Sequence, residues 1–170
     1  LLSHQNFNDM SYGLDPRFRF TVSRAIYKGI LRYLSFQYDR PYVVQPLPVE
    51  AFAAQLTDEG VRLTWQPQID SLEPTAVPDR YVVYTRVGDG GFDNGRVVEG
   101  TECVLAVPTD TVVSYRITAV NEGGESFPSE TLSVCRASES KGTVLVVNGF
   151  NRVLRNSTSS GVWYSSACNL

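Results

Sequence analysis

The side chains able to do chemistry are few and scattered. The chain holds one histidine, His4, and three cysteines, Cys103, Cys135 and Cys168. A protein-built zinc site would here have to mix widely separated ligands. No cysteine pair here has C-x-x-C spacing, so no metal is expected. A Ser-His-Asp relay would have to use His4, which stands beside no nucleophile elbow. Asp58-Glu59 and Asp89 lie in turn-like sequence, where solvation gives a carboxylate little reason to shift its pKa. "NGFN" at 148–151 lacks the second and third glycines of a dinucleotide cradle and reads as a strand end. No catalytic residue and no cofactor follow. The remaining candidates are the aromatic side chains Tyr84, Phe92 and Phe127, whose ring faces suit stacking on sugars if exposed; alternation puts Tyr84 on an outer surface.

Bulk properties narrow the classes further. Hydrophobic residues make up 42% of the 170 and charged residues 19%, a globular balance. The net charge of -3 speaks against a nucleic-acid binder, which is normally basic. The longest aliphatic run, Val144-Leu145-Val146-Val147, falls far short of the ~20 residues that span a bilayer. The chain opens on "LLSHQNF" rather than Met, and the expectation is a piece of a longer polypeptide.

These side chains must be positioned by elements of two kinds. Asp15-Pro16 is a helix start, with an acceptor at the cap and proline in the first turn. Phe18, Val22, Ala25, Ile26, Gly29, Ile30, Tyr33 and Leu34 then recur at helical spacing, and the pattern fails after Leu34. Arg17, Arg19, Arg24, Lys28 and Arg32 fall largely elsewhere and read as a solvated face. A helix this apolar needs a partner. Residues 37–47, with Pro41 and Pro46, read as a semi-rigid connector.

From Pro48 to Cys135 the period changes to two. Seven short strands are expected, bounded by turns. Phe52 and Ala54 suit the first; Val61, Leu63 and Trp65 share one side; so do Tyr81, Val83 and Thr85; so do Cys103, Leu105 and Val107; so do Tyr115, Ile117 and Ala119; Leu132 and Val134 close the set. Cys135 is out of phase with Leu132 and Val134, so a bridge to Cys103 is not expected. "GDGGFDNG" at 88–95 is turn-rich, with Asn94-Gly95 as a hairpin signal. Val97-Val98 suits a short edge strand. This many alternating strands in about 90 residues suits an immunoglobulin-like sandwich.

Trp65 on the second strand, Tyr81-x-Val83 on the third, and "YRITAVNEGGES" followed by "PSE" resemble a fibronectin type III domain. The resemblance implies a core of Trp65, Tyr81, Val83, Tyr115 and Ile117. It also implies that the Tyr115 hydroxyl ties the preceding corner to the backbone, although "VPTDTVVSY" is longer there than the family pattern. Residues 121–126 become the turn between the last two strands, with Gly123-Gly124 supplying backbone freedom and Glu122, Glu125 and Ser126 solvated at its tip.

The flanks carry two further resemblances. Leu2-Ser3, Ala25-Ile26, Gly29-Ile30 and Tyr33 are similar to the closing segment of zinc-dependent N-acetylmuramoyl-L-alanine amidases, which implies that residues 1–36 are the C-terminal helical end of such a domain, with metal ligands and catalytic Glu preceding Leu1. The family has Asn where this chain has His4, so no ligand role passes to it. "KGTVLVVNGFNR", after a polar linker at 136–142, resembles the start of the domain that follows a fibronectin type III module in xanthan lyase-like bacterial envelope proteins. A buried strand and an incomplete further domain are therefore expected at 143–170. Asn156-Ser157-Thr158 fits the N-glycosylation pattern, which carries no weight in a bacterial protein.

The expected architecture is mainly β: a sandwich at 48–135 with an N-terminal helix and a C-terminal strand-containing extension. The expected function is a non-catalytic spacer in an exported protein of the periplasm, cell surface or extracellular space, whose partners are adjacent domains. Two alternatives stay open. One is a module binding cell-wall glycan, polysaccharide or protein through Tyr84, Phe92 and Phe127; the other is a fragment of an amidase- or lyase-like hydrolase. The apolar helix face and Val144–Val147 are also expected to find cover, in each other, in the sandwich or by self-association.

Overall fold

Asp15 starts the helix as its sequence predicts. Its Oδ1 accepts the Arg17 N–H at 2.9 Å, a donor that a helix start leaves open, and its carbonyl takes the first intrahelical bond, from Arg19 N–H at 3.1 Å. The computed structural model of the chain describes residues 15–145, together with Asp9, Tyr12 and Gly13. Helix α1 runs Pro16–Tyr38, four residues beyond the expected end at Leu34. The stop is local: Asp39 takes a left-handed φ of 48°, Arg40 N–H reaches back to the Ser35 carbonyl at 3.0 Å, and Pro41 follows. The capping geometry, not apolar periodicity, sets this boundary. Ile26, Ile30, Tyr33 and Leu34, from the expected apolar face, are exposed. No described helix is long and apolar enough to cross a membrane.

Residues 35–143 form one compact unit. Its strands are β1 (Glu50–Thr57), β2 (Gly60–Gln66), β3 (Arg80–Val87), β4 (Arg96–Val98), β5 (Glu102–Leu105), β6 (Val112–Asn121), β7 (Gly124–Glu125) and β8 (Leu132–Cys135). One sheet has the order β1-β2-β5; the other has β4-β3-β6, with β7 and β8 both on the far edge of β6. All paired strands are antiparallel. Because β4 joins β3 rather than the β1 sheet, the layers are those of a fibronectin type III sandwich. Eight strands replace the expected seven, since the β6 turn itself pairs Val120 with Glu125 and Asn121 with Gly124. In β1 a bulge between Glu50 and Ala53, with Ala51 at φ 50°, lets Phe52 turn inward.

Alternation supplies each sheet with one buried face. Val61, Leu63, Trp65, Tyr81, Val83, Val113, Tyr115, Ile117 and Ala119 make a single core with Phe52 and Val49. Trp65, 1% exposed, meets Tyr81 edge-on at 5.4 Å between centroids. Leu105, Val107, Leu132 and Val134 close the rim, half-buried, with Cys103. Cys103 and Cys135 are both free, and Cys135 is exposed as its phase predicts.

Three expectations change in detail. Ser126 is buried rather than solvated, because its Oγ accepts the Ala119 N–H at 2.9 Å and donates to the Phe127 carbonyl at 2.8 Å. Asn94-Gly95 does not form the two-residue turn of its signal: only Gly95 has positive φ, and Asp93 Oδ1 holds the loop by accepting from Thr85 N–H and Gly95 N–H. Thr143, Val144 and Leu145 have no strand pairing, and the last two are 86% and 82% exposed. The rest of that expected strand, residues 146–147, lies outside the described residues.

The proline-rich segment is laid along one end of the sandwich. Val44 and Pro46 are fully buried. Asn121 Nδ2 donates to the carbonyls of Val44, Thr75 and Val77 at 2.9, 3.1 and 3.2 Å, while Val44 N–H donates to Thr75 Oγ1 at 3.1 Å.

Candidate interaction surface

The outward-facing positions of β3 and β6 carry the densest set of functional side chains. Register places Tyr84 opposite Arg116, Val82 opposite Thr118 and Arg86 opposite Ser114. The Arg116 guanidinium lies over two rings at once, 4.2 Å from the Phe92 centroid and 5.1 Å from that of Tyr84. Arg86 covers Phe92 at 5.2 Å. Such contacts contribute roughly 0.5–1 kcal/mol each at exposed sites.

Hydrogen bonds orient the set. Tyr84 Oη donates to Glu125 Oε1 at 2.6 Å, and Thr118 Oγ1 donates to the same oxygen at 2.6 Å. The Glu125 bond, which the ionised phenol could not donate, raises the Tyr84 pKa above its ordinary value. Arg86 donates to Ser114 Oγ at 3.2 Å, and Ser114 Oγ and Ser133 Oγ lie 2.9 Å apart. The Nε atoms of Arg86 and Arg116 are buried without a hydrogen-bond partner.

Tyr84 and Phe92, two of the aromatic candidates, are thus brought together, though around arginine rather than open to solvent. Phe127 follows β7 and is 65% exposed. Arg86 and Arg116 were not singled out by sequence reasoning. Their signal was available in part, since alternation puts both on the outer side with Tyr84; the position of Phe92 in a long loop was not.

The other reactive candidates are dispersed. Asp58, Glu59 and Asp89 are exposed. Among the described residues no group of three His, Cys, Asp or Glu could hold a metal ion. Burial lifts the Cys103 thiol above its usual pKa. His4, Cys168, the 148–151 turn and Asn156-Ser157-Thr158 lie outside the described residues.

Tyr115 departs from the corner role its resemblance implies. It is fully buried and its hydroxyl has no hydrogen-bond partner. The β5–β6 connection turns instead toward Arg136, through the Thr109–Arg136 bridge and a 2.7 Å bond from Asp110 N–H to the Arg136 carbonyl. Burial of the unpaired phenol pushes its pKa up to about 12.

No family model and no curated protein matches the sequence. Among solved structures, the chain is similar to the twitchin kinase region from C. elegans at 21% identity and a TM-score of 0.49, covering 58% of this chain and 18% of that one. It is similar to titin kinase with its flanking domains at 19% identity and 0.45, covering 55% and 18%, and to the FN3tt mutant at 20% identity and 0.42, covering 53% and 94%. The chain therefore spans under a fifth of the two kinase-containing structures. The fold assignment rests on the strand order described above: a three-stranded sheet facing the β4-β3-β6 sheet around the Trp65 core.

Proposed function

We propose that the chain is a non-catalytic fibronectin type III spacer within a multidomain exported bacterial protein that acts on cell wall or polysaccharide, the catalytic groups of that parent lying outside this chain. The observation that carries the spacer reading is the Arg116 guanidinium over both Tyr84 and Phe92. A sugar needs a free aromatic face to stack on, and Arg116 already occupies one face of both Tyr84 and Phe92, which favours a sheet-strengthening role for these two rings over a sugar platform. Support for the parent comes from the resemblance of residues 1–34 to the closing segment of an amidase and of residues 141–152 to the start of an envelope-protein domain. Adjacent domains of that parent are the partners, and periplasm, cell surface or extracellular space is the location.

Titration calorimetry of the 170-residue chain with peptidoglycan fragments and with neutral and acidic polysaccharides tests the reading. No saturable heat is expected. Saturable binding with Kd below about 10 μM, lost on Phe127→Ala or Tyr84→Ala, would replace the spacer with a glycan-binding module.

A further inference from the structure

Both connecting segments of the sandwich are fastened to it, each by one polar side chain that gathers several backbone carbonyls. At the end of β6, Asn121 Nδ2 serves the carbonyls of Val44, Thr75 and Val77. Its Oδ1 accepts Gly123 N–H at 2.8 Å, which sets the turn against which the segment lies. Tyr42 Oη donates to Glu73 Oε2 at 3.0 Å, and Thr75 Oγ1 donates to Glu73 Oε1 at 2.9 Å. Asn121 and Glu73 are buried, and Val44 and Pro46 completely so.

The counterpart lies beside the start of β6, on the residue that follows β8. The Arg136 guanidinium donates to the carbonyls of Thr57, Asp58 and Gly60 in the β1–β2 turn. The Arg136 carbonyl accepts Asp110 N–H, and Asp110 Oδ1 accepts Ser138 N–H at 2.8 Å. That last bond holds the Asp110 carboxyl below its ordinary pKa. Arg136 and Ser138 both belong to the stretch whose composition reads as a linker.

We propose that this module is a rigid coupler, in which an Asn121 clamp on residues 42–46 and an Arg136 clamp on residues 136–138 fix where the chain enters and leaves at opposite ends of one strand. Nine residue steps from Val112 to Asn121, at about 3.3 Å each, separate the clamps by roughly 30 Å. Neither linker begins to move until the chain has left its clamp. The module therefore holds the direction of what it joins, rather than only the distance. This inference deepens the spacer reading and rests on it.

The test is nitrogen-15 NMR relaxation and amide exchange on the whole chain. Tyr42–Gln45 and Arg136–Ser138 should show heteronuclear NOE values equal to those of β6. Thr75→Val removes the acceptor of Val44 N–H at nearly constant volume and should speed Val44 exchange by about tenfold, leaving Ser138 unchanged. Arg136→Met should raise mobility at 136–138 and leave Val44 unchanged. Asn121→Ala removes the first clamp entirely and is read only if β6 stays protected. Wild-type NOE values of freely moving chain at either segment would overturn the coupler while leaving a non-catalytic spacer intact. Loosening of both ends by either conservative variant would overturn it equally, since the clamps would then be one cooperative unit. Glycan binding in calorimetry would remove the spacer reading without touching the relaxation result.

Discussion

Arg116 stands directly across the β3–β6 ladder from Tyr84 and lays its guanidinium over that ring while also covering Phe92. Two ring contacts at roughly 0.5–1 kcal/mol each predict that Arg116→Ala lowers stability by about 1–2 kcal/mol. Arg116→Lys should recover only part of this, because an ammonium lacks the planar face that stacks on both rings. Urea midpoints of the three proteins at constant m-value check it.

The loop between β3 and β4 is held by Asp93, whose Oδ1 accepts from both Thr85 N–H and Gly95 N–H at 3.0 and 2.9 Å. Asp93→Ala strands two backbone donors and should cost about 2 kcal/mol. Asn94→Ala, at an exposed position without a left-handed φ, should change stability by less than about 0.5 kcal/mol. Had Asn94-Gly95 been the turn itself, the order of the two effects would be reversed in thermal melts.

Tyr115 offers an unusual case in which removing a hydroxyl should help. The oxygen is buried and unpaired, a state that costs about 1–3 kcal/mol, so Tyr115→Phe should stabilise by about 1 kcal/mol. A corner tyrosine bonded to backbone would show the opposite sign. The pH dependence has a definite direction too. The folded phenol titrates near 12 against 10.0 in the unfolded chain, so its contribution is intact below pH 10 and is lost as pH rises from there toward about 12. Melting temperature should fall as pH rises from about 10 toward about 12. Part of that fall should vanish in Tyr115→Phe and part persist, because Tyr81 and Tyr84 are raised as well.

Gly123 touches the entering segment so closely that a Cβ would run into the Val43 carbonyl. Gly123→Ala should cost about 1–3 kcal/mol by displacing residues 43–44. The same change at Gly29, with open space around it inside α1, should raise helix content, since alanine is favoured there by about 1 kcal/mol. Far-UV circular dichroism and chemical denaturation separate the two outcomes.

Alternation alone puts Trp65, Tyr81, Val83, Tyr115 and Ile117 on inward faces, and all five are buried. That legibility has a local cause: a strand turns successive side chains to opposite faces, so the pattern depends on nearest neighbours alone. The Asp15 cap was legible for the same reason. The end of α1 was less so, because Asp39 in a left-handed conformation carries none of glycine's warning.

What only the tertiary structure decided involves partners far apart in the chain. Asn121 reaches a carbonyl 77 positions away at Val44, and Arg136 reaches one 79 positions away at Thr57. Period and composition mark residues 37–47 and 136–142 as polar or proline-rich, and both properties suit a free linker as well as a fastened one. The Tyr115 hydroxyl and the Arg116 guanidinium follow the same logic. Alternation states which side of a sheet each occupies, whereas the route of the β5–β6 connection and of the Phe92 loop settles what each one meets. Residue type and spacing determine faces; hydrogen bonds and ring contacts between distant segments exist only once those faces have closed on a core.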